Sequence, residues 1–207
     1  MRVFLVRHGQ TSWNIEGKAQ GHTDIPLDEV GLRQCESLHH AFKGTRLDQI
    51  ISSDLKRAQQ TAEAISAATG APIVLEPRLR ERCFGEWEGD SYADVSSRLI
   101  EAALDKAIRW VLVRPPGGES FMDVWDRVGA FVDGVFDSDE DIAIVSHGGT
   151  SSAVMARLIH GHPETARSFR FGNTGIYELE RRNDGFFSIV RYNDTHHLTA
   201  HPEVIGR

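Results

Sequence analysis

The chain predicts an α/β fold: a three-layer α/β/α sandwich around a mostly parallel central sheet, with a small helical and loop cap. Three observations carry that expectation. Short apolar runs rich in β-branched residues alternate with longer helix-forming stretches, the pattern of βαβ units. Three of these runs end abruptly in polar residues that lead into a helix. The 207 residues, 40% hydrophobic and 26% charged, give room for one large core. They are read as a single domain over 1–207, with 78–120 as a lid or cap segment.

The first strand is expected over 2–7, where Val3-Phe4-Leu5-Val6 stops at Arg7-His8-Gly9. An irregular loop follows to about 27, then a helix around 30–43. Gln49-Ile50-Ile51-Ser52-Ser53 reads as the second strand, and the helix-forming run from Lys56 to Ala64 places a helix over 55–69. A short strand is expected over 72–75, and the charged run Arg78-Leu79-Arg80-Glu81-Arg82 opens a loop that extends to 89. Residues 91–113 read as helical, with Ile100, Leu104 and Ile108 at helical spacing. Pro115-Pro116-Gly117-Gly118 breaks the chain, and Glu119-Ser120 begins a helix that runs to about 136. A strand over 141–146, a helix over 150–160 and strands near 174–180 and 186–192 complete the order.

Loops at the carboxyl ends of strands are where open α/β sheets bind ligands. Three strand-to-helix junctions deliver Arg7 with His8, Arg57, and His147 with Gly148 to one sheet edge. Two arginines and two histidines there suit a tetrahedral dianion such as phosphate, whose oxygens match the guanidinium fork. Arg57, near a helix start, also gains from the positive end of the helix dipole. Each residue alone has a plainer reading as a surface or capping group, and Gly148-Gly149 alone could simply open a tight turn. Their joint occurrence overturns it.

Other classes fit poorly. A net charge of −7 argues against a nucleic-acid partner. No run approaches the roughly 20 apolar residues that span a bilayer, so no membrane partner is expected. The N-terminal apolar run is too short for a signal peptide, and Cys35 and Cys83 suggest no disulfide framework, so the expected compartment is the cytoplasm. The ten histidines, including His39-His40, His160, His162 and His196-His197, lack the spacing of a metal site. Neither a metal nor a cofactor is expected. The oligomeric state stays open, a homodimer included.

An ordered set of motifs spans nearly the whole chain: Arg7-His8-Gly9-Gln10-Thr11 with Trp13-Asn14, Gln20-Gly21, Ser53-Asp54-Leu55 with Arg57-Ala58 and Thr61-Ala62, Glu81, Phe84-Gly85 with Trp87-Glu88-Gly89, Pro116-Gly117-Gly118-Glu119-Ser120, Val145-Ser146-His147-Gly148-Gly149 and Asn173-Thr174. In this the chain resembles the histidine phosphatase superfamily, branch 1, also called phosphoglycerate-mutase-like. The resemblance implies His8 as a nucleophile that forms a phosphohistidine. It implies Arg7, Arg57 and His147 as holders of the phosphoryl oxygens, and Glu81 as the acid that protonates the leaving alkoxide. Asn14 would add a hydrogen bond to the phosphoryl group, and Gln20, Gly21, Arg82 and Gly148 complete the expected substrate-binding set. Glu88 would have a structural place beside Trp87.

The implied partner is a small phosphorylated metabolite, hydrolysed without metal. Sugar phosphates, phosphoglycerate derivatives such as glucosyl-3-phosphoglycerate, and α-ribazole phosphate are the expected substrates. The alternative within the family is a cofactor-dependent phosphoglycerate mutase, disfavoured because the 78–120 segment is short and lacks the paired arginines of the mutase inserts. Arg82-Cys83 departs from the common family form, which bears on the substrate and not on the chemistry. A non-catalytic phospho-ligand binding module is the alternative of another class; it is disfavoured because His8, Glu81, Arg7, Arg57 and His147 are all kept.

Overall fold

A computed structural model describes residues 1–199. Among them six strands form one sheet: β1 (Arg2–Arg7), β2 (Gln49–Ser52), β3 (Ile73–Leu75), β4 (Ile142–Ser146), β5 (Ile176–Arg181) and β6 (Phe187–Asp194), in the order β3-β2-β4-β1-β5-β6. The first four of that order run parallel, and β5 and β6 are antiparallel to their neighbours. The helices are α1 (Ser12–Ile15), α2 (Glu29–Phe42), α3 (Lys56–Thr69), α4 (Tyr92–Asp105), α5 (Phe121–Phe136) and α6 (Gly148–Leu158).

Alternation along the central strands builds the three layers. Val3, Leu5, Ile142 and Ile144 lie in one core with Val124 and Val128 of α5 and Val154 and Met155 of α6. Phe4, Val6, Ala143 and Val145 point the other way, onto Leu38 of α2 and Ala58, Ala62 and Ile65 of α3. Burial on both faces explains why β4 reads as an unbroken apolar run. Truncating fully buried Ile144 to Ala would cost about 2–5 kcal/mol.

Helix starts divide into two kinds. Asp28 caps α2 by accepting from the Gly31 amide at 2.8 Å, and Ser120 with Asp123 forms a capping box on α5. The N-cap positions of α3 and α6, Leu55 and His147, make no side-chain cap bond. Their first-turn amides are met from elsewhere, by Asp24 on Lys56 (2.7 Å) and by Glu81 on Gly149 and Thr150. These two helices follow β2 and β4.

Element ends fall within two residues of the sequence expectation except in the 91–113 stretch. There α4 stops at Asp105, Ala107 takes a left-handed φ of 50°, and Trp110–Leu112 forms a separate 3-10 turn. The Ile100, Leu104 and Ile108 spacing is therefore not a buried stripe. Leu104 is 75% exposed, and α4 instead buries Val95 against Ala19 and Phe84. The loop to 27 also contains the short α1, closed by a capping box between Thr11 and Asn14. Among the described residues no helix is long and apolar enough to cross a membrane.

Candidate active site

The register of the parallel strands gathers the predicted residues. Arg7 pairs with Ser146 and Ser52 with Val145, so β1, β4 and β2 end side by side. The ladder extends one step past each end, with the His8 amide donating to Ser146 O and the Ser53 amide to Val145 O, both at 2.9 Å. His8, His147 and the α3 start with Arg57 thus emerge at one edge. The His8 and His147 rings lie 5.1 Å apart.

His8 is 3% exposed. Its Nδ1 lies 2.6 Å from the Gly9 carbonyl, which can only accept. Nδ1 therefore carries the proton of the neutral ring and the lone pair stays on Nε2. Burial first, then Arg57 and Arg7, push the His8 pKa well below its ordinary value. The ring is neutral at physiological pH.

Arg57 is fully buried. Its Nε donates to His147 Nδ1 at 3.1 Å, and its two terminal nitrogens donate to Thr23 O (2.9 Å) and Gly21 O (2.8 Å). Burial brings its pKa down to about 10, still cationic at neutrality. Arg7 donates to Phe171 O at 2.7 Å, while its Nε is buried without a partner among the described residues. A Cβ added to Gly148 would lie 3.8 Å from that nitrogen, so the guanidinium rests on the start of α6. A buried cationic N–H is a donor suited to an anion oxygen.

Glu81 reaches the same helix start. Its carboxylate accepts from the amides of Arg82 (2.9 Å), Gly149 (3.1 Å) and Thr150 (3.1 Å). A Cβ at Gly149 would come 2.8 Å from Glu81 Oε1, which explains the second glycine of the pair. Asn14 Oδ1 accepts from the Thr11 amide and from Asn173 Nδ2, which also donates to His8 O at 3.0 Å. Gln20 is buried and its Oε1 has no partner among the described residues. Gly21 holds a φ of +53° with its carbonyl on Arg57.

Arg82, from the expected substrate-binding set, meets lid backbone. Its Nε donates to Glu119 O (2.7 Å) and a terminal nitrogen to Val113 O (2.8 Å), with the guanidinium 5.5 Å over the Phe84 ring. The side chain is 6% exposed and holds the 113–119 backbone. Glu88 takes its structural place. Burial raises its pKa, but hydrogen bonds from Thr23, His22 and Phe84 outweigh that and leave it lowered.

Sequence reading named neither Ser53 nor Thr150 as site residues. Ser53 Oγ lies 2.9 Å from His147 Nε2, and Thr150 Oγ1 donates to Arg80 O at 2.7 Å beside Glu81. Ser53 opens the Ser53-Asp54-Leu55 motif and Thr150 directly follows Gly149, and that placement is the available signal. Among the described residues no group of three or more His, Cys, Asp or Glu side chains is placed to hold a metal. Two guanidinium groups, one carboxylate and two neutral imidazoles make a net positive pocket fit for a phosphoryl dianion.

The Histidine phosphatase superfamily (branch 1) matches residues 3–195. The chain is 34% identical to the adenosylcobalamin/alpha-ribazole phosphatase of Escherichia coli (strain K12), over 82% of this chain and 85% of the relative. It is 33% identical to phosphoglycerate mutase-like protein 4 of Arabidopsis thaliana, over 95% of this chain and 86% of the relative. A solved mycobacterial glucosyl-3-phosphoglycerate phosphatase superposes with a TM-score of 0.80 at 27% identity, covering 94% of this chain and 99% of the other.

Proposed function

The chain belongs to the histidine phosphatase superfamily (branch 1) and is a phosphatase; from that premise we propose that it hydrolyses a small phosphorylated metabolite through a phosphohistidine on His8. The observation that carries this reading is the state of His8: neutral, with its proton committed to Gly9 O and its Nε2 lone pair free, beside two arginines. Nε2 attacks phosphorus, the P–N bond forms, and the ester P–O bond breaks. Glu81 is the group placed to give a proton to the leaving oxygen. Water then attacks the phosphohistidine, losing its proton to Glu81, and phosphate departs with His8 restored. Arg7 and Arg57 hold the equatorial oxygens, Asn14 supports them, and His147, whose Nδ1 accepts from Arg57 Nε, aims that guanidinium.

The substrate class is a sugar phosphate or phosphoglycerate derivative, glucosyl-3-phosphoglycerate among them. The chain's likeness to phosphatases of such esters and of alpha-ribazole phosphate supports it. The likeness to a mutase-like protein favours a second reading, phosphoglycerate isomerisation. Against it, the arginines of the lid segment are already engaged. Arg80 pairs with Asp54, Arg82 with two carbonyls, Arg114 with Asp123, and Arg78, Arg98 and Arg109 with Glu76, Asp90 and Glu164, so each already has a partner.

Phosphate release from a panel of phosphomonoesters in EDTA, with 3-phosphoglycerate isomerisation followed in parallel, tests both readings. Hydrolysis predicts metal-independent release and a phosphoenzyme that His8→Ala abolishes. Isomerisation outrunning release would establish the mutase. No turnover with tight phosphate binding would leave a binding module.

A further inference from the structure

We propose that Arg127, on α5, is the positioning residue for the Glu81 proton donor and acts through the backbone that carries it. This rests on the reading of Glu81 given above. Glu81 follows a single 3-10 turn (Pro77–Leu79), and no strand or helix spans it. Arg127 supplies the missing order. Its guanidinium donates to Arg78 O, to Arg80 O at 2.7 Å and to Glu81 O at 3.0 Å.

The Nε of the same guanidinium lies 2.9 Å from Glu119 Oε1, and the terminal nitrogen that meets Arg80 O and Glu81 O is also 3.2 Å from Oε2. Glu119 in turn accepts from the Cys83 amide at 2.9 Å. Burial raises the Glu119 pKa, yet Arg127, the Cys83 amide and His22 together outweigh it and leave it lowered. The backbone is therefore gripped on both sides of Glu81 by one guanidinium and its counter-ion. His22 Nε2, 2.9 Å from Glu81 O, is a second partner of that carbonyl.

The anchor is rigid. Arg127 is flanked on α5 by Val124 and Val128, both fully buried in the main core. An ion pair serving stability alone would need only Glu119, whereas all three carbonyls that Arg127 holds belong to the loop bearing the acid. Lysine cannot replace this, because a point-charge ammonium lacks the planar fork. The Glu81 carboxylate meets three amides at 2.9–3.1 Å, so a small loop shift re-aims it.

The test compares kcat/KM for an alkyl phosphate and for p-nitrophenyl phosphate in Arg127→Ala, Arg127→Lys, Glu81→Gln and Arg127→Ala with Glu81→Gln. We expect both Arg127 variants to lose about a hundredfold on the alkyl ester, the scale of a misplaced catalytic group. p-Nitrophenyl phosphate, whose leaving group needs no proton, should hardly change. The double variant should show no selective loss beyond Glu81→Gln alone. Equal losses on both esters, or a selective loss that adds to that of Glu81→Gln, would overturn the proposal while leaving the acid intact. No leaving-group dependence in Glu81→Gln would overturn the reading of Glu81 and this proposal with it. Arg127→Lys, which keeps the charge, gives the same comparison if Arg127→Ala does not fold.

Discussion

Arg57 Nε donates to His147 Nδ1 over 3.1 Å, and this bond fixes the proton of His147 on the opposite nitrogen. A guanidinium can only donate, so Nδ1 accepts and Nε2–H points to Ser53 Oγ at 2.9 Å. His8 holds the reverse arrangement, with Nδ1–H on Gly9 O. Two neutral imidazoles of opposite tautomer therefore face one site, each kept uncharged by burial first and then by Arg57.

Imidazole ¹⁵N NMR at pH 7 should show the Nδ1–H tautomer for the ring lost in His8→Ala and the Nε2–H tautomer for the ring lost in His147→Ala, the latter shifting in Ser53→Ala. Removing the Ser53 hydroxyl takes away the acceptor that aims His147, and kcat/KM should fall about tenfold or more, as misaligned groups do. Matching tautomers for the two rings would refute the assignment.

Stability should fall as acid is added, well before the carboxylates protonate. His8 and His147 have folded pKa values well below 6.5, and burial takes His197 to about 4. The unfolded chain binds protons below 6.5 that the fold does not accept, so unfolding gains and stability drops as pH falls. Each histidine contributes about 1.4 kcal/mol per pH unit between 6.5 and its folded value. Urea midpoints at pH 7.5, 6.5, 5.5 and 5.0 check this, because the lowered carboxylates Glu88 and Glu119 act only below their ordinary 4.5. His197→Asn should flatten the slope; a flat profile in the parent protein would refute the linkage.

Gly21→Ala should damage the site more than the fold. A Cβ there would meet Glu88 Oε1 at 2.0 Å, at a φ of +53° that side chains avoid. Glu88 holds the His22 and Thr23 amides, and Gly21 O and Thr23 O hold Arg57. Displacing this loop moves the guanidinium, so kcat/KM should drop about a hundredfold. Gly44→Ala is the control, with a φ of +80° but open space around it. It should cost about 1–3 kcal/mol from backbone strain and leave kcat/KM unchanged.

The sheet was legible because buried parallel strands must be apolar on both faces, and β1 and β4 are. The site was legible where a strand end delivers the residue, as with Arg7, His8, Arg57 and His147, since register alone then sets the position. The carbonyls that Arg82 meets were not legible, because a charge beside the acid carries no mark of the distant backbone packed against it. Arg127 was illegible for the converse reason: helix spacing says nothing about a loop packed against it. The Ile100 and Leu104 spacing misled because periodicity marks a face without saying whether anything covers it.

Tyr92 should set the fit of the leaving group. It is the first residue of α4, tied down by its amide to Gly17 O at 2.7 Å, and its ring stands edge-on to Phe84 at 6.2 Å. The residue is 58% exposed by area, yet burial, then Glu81, raise its pKa, with Arg82 and Arg7 opposing. The charges that act on the phenol, Glu81, Arg82 and Arg7, are those of the site, so the ring is close enough to meet what the phosphate carries. A substrate with a sugar or ring leaving group would lie against it, whereas a small alkyl phosphate would not reach. Tyr92→Ala should raise KM for the larger substrates by about threefold to tenfold, the worth of one aromatic contact. kcat should be unchanged, KM for ethyl phosphate should not move, and Tyr92→Phe should separate ring from hydroxyl. An equal rise in KM for ethyl phosphate would mean that Tyr92 shapes the phosphate site itself and not the fit of what the phosphate is attached to.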